Sequence, residues 1–499
     1  MQPLHTSDAD GTCALRLLVK GHIMTLPFLS SFKSSWSTMS LAALASAVAV
    51  SLCGCPTDDG TGPDPSPSVG PEAEPDPEPS AGGDFFTDVQ MRNLETVVPE
   101  NGRGLSIALR DNGNFAIAYV GLGEGTFMCD LFGGGTVEGG DMREVRVAEG
   151  SFDGAITETV IDQIPSAAQQ SVDMALGPNG LVFAYAGGEP ANGYCGPSDL
   201  VVTEEGGAPN IVMTDSASAS GCFWDETMAP ETICDIGDTV GHYASIAIDD
   251  DGTVAVAFQD IHNGFAETDF SRGDLEMARG NGSYTVTSLL PGTGGGYHAS
   301  IAFGPDGRII AGTEVVGNNH FYDMEGNPFT VNEGLYVVVE ADDGTFFFHN
   351  LAEDSTTNSR ITVGHHDNFG FAAAYHDDIA DRLIFVHSFD GPDLTPVPEP
   401  VAQFGRTGRS PHLGFLSDGT PVLAYRHCAG TNSDTCDTAE DGIRVAVRVN
   451  GTWQTQNLDG DDEDFEGLDL DMTIGADDTV AIVSHNTSRD HAVLHLLRR

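Results

Sequence analysis

Residues Ser245-Ile-Ala-Ile-Asp-Asp-Asp-Gly252-Thr-Val-Ala-Val-Ala-Phe258-Gln-Asp260 read as a strand, a tight Asp/Gly turn and a second strand. Small and β-branched residues alternate on both sides of the turn, which is the period of two expected of half-buried strands. The pattern recurs from Ser106 to Tyr119 (SIALRDNGNFAIAY), Val172 to Tyr185 (VDMALGPNGLVFAY) and Ser300 to Thr313 (SIAFGPDGRIIAGT). Weaker copies run from Thr362 to Tyr375, His412 to Tyr425 and Asp471 to Ser484. The turns fall near Gly113, Gly180, Gly252, Gly307, Phe369, Gly419 and Asp478, about 60 residues apart, the spacing of repeats that each carry one supersecondary unit. A second hairpin lies between copies. In the third unit it is Asp274–Arg279, Gly280-Asn-Gly282 and Tyr284–Leu289; in the sixth, Gly442–Arg448, Asn450-Gly451 and Trp453–Leu458. Asn-Gly between alternating runs is a strong hairpin signal.

Four short antiparallel strands per unit, lettered A to D, predict an all-β fold: a seven-bladed β-propeller of four-stranded blades. Six or eight blades are alternatives on the blade count, and a solenoid or sandwich is the alternative on architecture. The seventh unit has strands A and B, then Ala492–Leu497 as C, and no D. Met91–Val98, ahead of the first strand A, reads as an orphan D strand. Pairing the two would close the ring and cover two sheet faces and an open edge. The copies resemble the Ser-Ile-Ala…Asp-Gly…Ala-Tyr propeller repeats common in bacterial extracytoplasmic lipoproteins, over roughly residues 87–499. That resemblance implies fold and address more than activity, because propellers host enzymes and binders alike. The Trp-Asp ending of one well-known propeller repeat is absent, as is the Ser-x-Asp-x-Gly-x-Thr-Trp box of sialidases; Asn450-Gly-Thr-Trp453 is a hairpin turn.

Upstream, the apolar run Leu41–Leu52 (LAALASAVAVSL) is too short for a membrane-spanning helix but fits a signal-peptide core. It runs into Leu52-Cys53-Gly54-Cys55, which resembles a lipobox with Cys55 as the lipid acceptor. Residues 1–54 are therefore read as a lipoprotein signal peptide, with Met24 the more natural start. Residues 55–84 are read as the lipidated Cys and a disordered Pro/Asp/Glu-rich tether, with too little apolar surface to fold. Residues 85–499 are the propeller. The expected address is the bacterial cell envelope, lipid-anchored, at the outer membrane or cell surface in preference to the inner membrane. Cleavage before Cys55 removes Lys20 and Lys33, the two lysines of the sequence, which excludes lysine Schiff-base chemistry from the mature protein.

The chain carries 21 basic against 75 acidic residues, a net charge of −54. No basic face is available for nucleic-acid phosphates, so no nucleic-acid partner is expected. Walker, Rossmann, Gly-x-Ser-x-Gly and His-Glu-x-x-His motifs are absent. After Cys55, the even set of six cysteines in an exported chain favours disulfides, with Cys129–Cys195, Cys222–Cys234 and Cys428–Cys436 as the candidate pairs in loops of one face. Strand A begins and strand B ends at that face. Arg103, His242, His298, Arg360 and Arg409 precede A strands, while Asp260, Glu314 and Arg426 follow or end B strands. These eight are the candidate ligand-binding residues, and the arginines are suited to a carboxylate, sulfate or phosphate through forked hydrogen bonds. No catalytic residue is assigned and no cofactor is firmly implied. Asp459, Asp461, Glu463 and Asp464 form an oxygen-rich run that is a candidate calcium site, though it fails the EF-hand pattern. The functional expectation is a non-catalytic binding or scaffolding propeller held to the membrane by its lipid, with a protein or glycan partner. A hydrolase or lyase acting on polysaccharide or another anionic substrate is the alternative.

The lipobox reading is checked by metabolic labelling with an alkynyl palmitate in a bacterial host. Wild-type chain is expected to carry label and partition with membranes, and Cys55→Ala to lose both; a labelled Cys55→Ala variant would refute it.

Overall fold

The residues at the repeated A–B turns hold the left-handed backbone that tight hairpins require. Gly113, Gly180, Gly252, Gly307, Gly419 and Asp478 have φ of 79°, 123°, 82°, 74°, 83° and 64°. In the fifth copy the left-handed residue is Gly370 (φ 66°), one place after the expected Phe369. Several turns are locked by an Asp carboxylate oxygen: Asp249 Oδ1 accepts from the Asp251 and Thr253 N–H groups at 3.0 and 2.7 Å, and Asp418 Oδ1 accepts from Thr420 N at 2.9 Å.

The computed structural model describes residues 14–19, 22–27, 85–94, 103–130, 136–165, 171–187, 198–213, 221–224, 232–235, 239–261, 273–290, 294–316, 319–322, 328–353, 360–377, 382–389, 396–403, 409–427, 442–458, 468–486 and 491–499. The chain divides into two units, Met1–Pro75 and Asp76–Arg499. In the first unit, Ala14–Val19 and His22–Pro27 pair as an antiparallel hairpin. The run 41–52, Cys55 and the expected tether lie outside the described residues.

The second unit holds seven four-stranded antiparallel sheets. Blade 1 comprises Arg103–Leu109, Phe115–Asp130, Thr136–Gly150 and Ile156–Pro165. Blade 2 is Val172–Gly177, Gly180–Gly187, Asp199–Glu204 and Asn210–Met213. Blade 3 is Thr239–Ile248, Val254–Ile261, Gly273–Asn281 and Ser283–Leu290. Blade 4 is Tyr297–Phe303, Ile309–Val315, Gly334–Glu340 and Phe346–Glu353. Blade 5 is Ile361–His366, Gly370–Asp377, Arg382–His387 and Val397–Gln403. Blade 6 is Arg409–Phe415, Pro421–His427, Gly442–Val449 and Thr452–Asn457. Blade 7 takes its A, B and C strands from Leu468–Ile474, Val480–Asn486 and His491–Arg498, and its D strand from Asp88–Leu94. Two further hairpins, Gly221–Trp224 with Thr232–Asp235 and Asn319–Tyr322 with Pro328–Val331, decorate the D–A connection before blade 3 and the B–C connection of blade 4.

Each A strand packs against the next, and the seventh packs against the first, so the A strands ring a central channel. The closure expected from the sequence is present. Its register runs from Asp88 opposite Arg498 to Leu94 opposite Ala492, so the strand begins three residues before the expected Met91 and its described part ends at Leu94. The side chain of Arg92 then reaches the neighbouring blade, donating to the carbonyls of Ser151, Phe152 and Gly154 at 2.8, 2.6 and 2.9 Å. Just upstream, the Gln456 amide both donates to Phe86 O and accepts from Phe86 N, each at 3.2 Å.

The core is cyclic rather than central. Seven apolar clusters among the described residues each span one blade–blade interface. The middle strands are therefore buried on both faces: every residue of Val254–Ile261 is buried. Alanines fill the narrowing toward the axis, as at Ala372, Ala373 and Ala374. Strand D keeps one wet face, and Met91, Val160, Phe348 and Val397 are exposed there.

Leu94 is 2% exposed in the cluster joining blades 7 and 1, beside Ala492 and Leu494. Leu94→Ala is expected to lower unfolding free energy by about 2–5 kcal/mol. Met91→Ala, on the exposed face of the same strand, is expected to change it by less than about 0.5 kcal/mol. Chemical denaturation followed by tryptophan fluorescence reads both; equal effects would contradict a sealing role for this strand.

Candidate functional site

Strand A of every blade is an edge strand, so its channel-side N–H groups lack a sheet partner. A repeated position supplies one. Ser106, Asp173, Ser245, Ser300, Thr362, His412 and Asp471 are equivalent residues of the seven A strands, as the common register shows. Ser106 Oγ accepts from Met174 N at 3.1 Å, and Asp173 Oδ2 from Ile246 N at 2.8 Å. Ser300 Oγ accepts from Val363 N at 3.1 Å, Thr362 Oγ1 from Leu413 N at 3.2 Å, and Asp471 Oδ2 from Ile107 N at 2.7 Å. Each bond thus runs from one blade to the next. Ser106 also donates to Asp173 Oδ1 at 2.8 Å, and His412 Nδ1 lies 2.9 Å from Asp471 Oδ1. Burial, with the charge of Asp471 second, pushes the Asp173 carboxyl up to about 6 despite these hydrogen bonds.

Two residues earlier, at the end where strand A begins, the ladder carries an extra residue. Two A residues face one B residue between Arg103 and Ser106, His242 and Ser245, Tyr297 and Ser300, Arg409 and His412, and Leu468 and Asp471. These are β-bulges, and each has a left-handed residue at its middle. Gly104, Tyr243, His298, Ser410 and Asp469 have φ of 63°, 50°, 48°, 48° and 47°. A left-handed L-residue costs about 1–2 kcal/mol, and four of the five sites carry one. Backbone strain repeated at one rim is the kind of feature that clusters at ligand sites.

The bulge residues surround a cavity of about 870 Å³ lined by the A strands, with Tyr243, His298, Arg360 and Asp469 at its mouth and Asp173 and Asp471 deeper. The Tyr243 ring lies 4.6 Å from His298 and 5.1 Å from Tyr297, centroid to centroid. Burial, and then the neighbouring Arg360 guanidinium, hold the His298 imidazolium down to about 3, so the ring is neutral near pH 7. Burial, then Tyr243 and Glu314, hold the Tyr297 phenol well above its ordinary range. The described part of the mouth therefore presents neutral aromatic surface beside the Arg360 guanidinium.

The eight sequence candidates separate. His298 and Arg360 line the cavity. His242 sits behind the bulge opposite Gln259, with Nε2 unpartnered and burial alone lowering its pKa to about 4. Asp260 and Glu314 are 1% and 2% exposed and lie in the ladders opposite Val240 and Tyr297, away from the cavity lining. Arg103 lies opposite Val120 and Arg409 opposite Arg426 in their ladders, and Arg360 immediately precedes Ile361, which faces Tyr375. The side chains of Arg103 and Arg409 lie outside the described residues, as do the run Asp459, Asp461, Glu463 and Asp464 and the cysteines Cys195, Cys428 and Cys436. Cys222 and Cys234 are directly opposite each other in their hairpin ladder. Cys129 is on a strand, opposite Val137, because the B–C arms of blade 1 keep pairing out to Asp130 and Thr136. The sequence reading missed Tyr243, Asp469 and the girdle residues; counting back from Ser-Ile-Ala in each copy locates the first two, and their irregular, non-alternating spacing is the signal of the bulge.

No family model matches the chain, and no curated protein matches it. Among solved structures, a catalytically inactive virginiamycin B lyase from Staphylococcus aureus with quinupristin is similar at 10% identity, over 83% of this chain and 99% of that one, with a TM-score of 0.43. Trypanosoma rangeli sialidase is similar at 11% identity over 82% of this chain and 58% of that one (TM-score 0.40). Penicillium chrysogenum α-L-arabinanase is similar at 10% identity over 72% and 97% (TM-score 0.38).

Because the folded Asp173 carboxyl is raised from 3.8 to about 6, the folded state holds its proton more tightly than the unfolded state. Its ionisation therefore erodes stability as pH rises from about 4 to 6. The stability cost of Asp173→Asn is expected to shrink across that window, read from denaturation midpoints of both proteins at matched pH; a cost that grows would reverse the sign of the assignment.

Proposed function

We propose that this chain is an envelope-anchored lipoprotein whose propeller binds a ligand at the channel mouth and leaves it chemically unchanged. The observation that carries this reading is the rim of bulges. Five A strands hold a left-handed residue at the same place, four of them strained L-residues, and the side chains of Tyr243, His298 and Asp469 line the cavity there. Strain at a rim is sustained only where the surroundings over-determine it, which gives a pre-organised surface. The carboxylates deeper in the cavity favour binding over catalysis. Asp173 and Asp471 direct their oxygens at backbone N–H groups of the A strands. Asp260 and Glu314, the two acids among the ligand-binding candidates, are buried in the sheets. The lipobox at Cys55 and the acidic tether support an anchored address, with two or more acyl chains needed for stable retention. A glycan or protein on the outer face of the envelope is the partner class.

The full lipidated chain in detergent, incubated with a panel of mono- and disaccharides, is expected to retain one class through gel filtration and to return it intact by mass spectrometry. Tyr243→Ala is expected to weaken retention about tenfold, as removal of a buried aromatic contact does. Release of shortened or unsaturated products by wild type would establish an enzyme instead.

A further inference from the structure

The occupant's charge follows from a single arginine, and the inference rests on the binding reading above. Several other described arginines of the propeller are engaged. Arg110 meets Glu149 and Glu205, Arg279 meets Glu340, Arg308 meets Asp342, Arg448 meets Glu399 and Arg499 meets Asp418. Among the described residues Arg360 makes no hydrogen bond and no ion pair, although the chain has 75 acids with which to supply one. Its guanidinium stands half-buried at the cavity mouth beside His298. Five donors in a planar fork, left without an acceptor in a partly desolvated site, suit a carboxylate brought by a ligand.

The adjacent surface narrows the ligand further. Tyr243 and His298 line the cavity, and Tyr297 backs Tyr243 at 5.1 Å with planes inclined by 35°. Amphipathic aromatic faces of this kind cover the C–H side of a ring that is polar at its edges. On blade 7, Asp469 offers an acceptor for hydroxyl donors. A net charge of −54 repels a polyanion along its length, whereas a single acidic residue of about ring size sits within one Debye length, ~8 Å, of Arg360.

We propose that the mouth takes the carboxylated terminal unit of an acidic sugar, its carboxylate on Arg360, its ring face on Tyr243 and His298, and its hydroxyls toward Asp469.

Titration calorimetry on the full chain, with D-glucuronate and its neutral isostere D-glucuronamide as probes, tests this. Glucuronate is expected to bind about 10- to 100-fold more tightly than glucuronamide, the ratio given by one charge-assisted hydrogen-bonded pair. Arg360→Gln is expected to abolish that preference, and Arg360→Lys to keep part of it; unchanged melting temperatures show that the variants fold. The inference is overturned if the two compounds bind alike, if Arg360→Gln leaves the preference intact, or if neither compound binds wild type. It is overturned as well if inorganic phosphate displaces glucuronate as effectively as glucuronate itself, which would make the site a plain anion site. Equal binding of both compounds, lost together in Tyr243→Ala, would remove the acidic preference while leaving the ligand-binding mouth standing.

Discussion

The girdle of side-chain to backbone hydrogen bonds around the channel is the constraint on which the rest depends. A ring of separate sheets presents seven inner edges, each with N–H groups that water or protein must satisfy. Here the short polar side chains of Ser106, Asp173, Ser300, Thr362 and Asp471 each reach one blade onward. Every contact of this kind does two things: it satisfies an edge donor and it fixes the rotation of one blade against the next. The apolar clusters between blades then fill the wedges that this rotation leaves, with alanine where the wedge is thin. Hydrogen bonding at the axis and packing further out are therefore two parts of one solution.

The same arrangement decides where chemistry can sit. Carboxylates in the girdle are committed to holding the ring, so they are structural even though they are among the deepest acids in the channel. Side chains released from that duty lie two residues upstream, where the bulge turns them toward the mouth. A small offset in register thus separates the residues that hold the fold from those that meet a ligand.

Much of the architecture was legible in the sequence because its determinants are local. The Asp-Gly and Asn-Gly turns, the alternation in SIAIDDDGTVAVAF, and the orphan strand near Met91 each signal themselves within a dozen residues. The fifth turn slipped by one place because Asn-Phe-Gly carries its glycine later than its siblings. The site was less legible. A bulge is an extra residue relative to a partner strand, and no single strand reveals it; Tyr243 and Asp469 look like ordinary leading residues until the B strand is laid alongside. Buried acids such as Asp260 and Glu314 read as rim residues because the sequence marks where strand B ends but not how deep that end lies.

Strand Asp88–Leu94 completes a sheet whose other members are made last. Asp88 meets Arg498 across 410 residues of chain. During synthesis this segment emerges first among the propeller strands and waits for its partner until nearly the whole chain has appeared. For that interval it is a bare ribbon with an apolar residue at Leu94, able to pair with any edge it meets. The ring therefore behaves as a clasp that cannot fasten early, and holdase protection of its first strand is the natural requirement of making such a molecule.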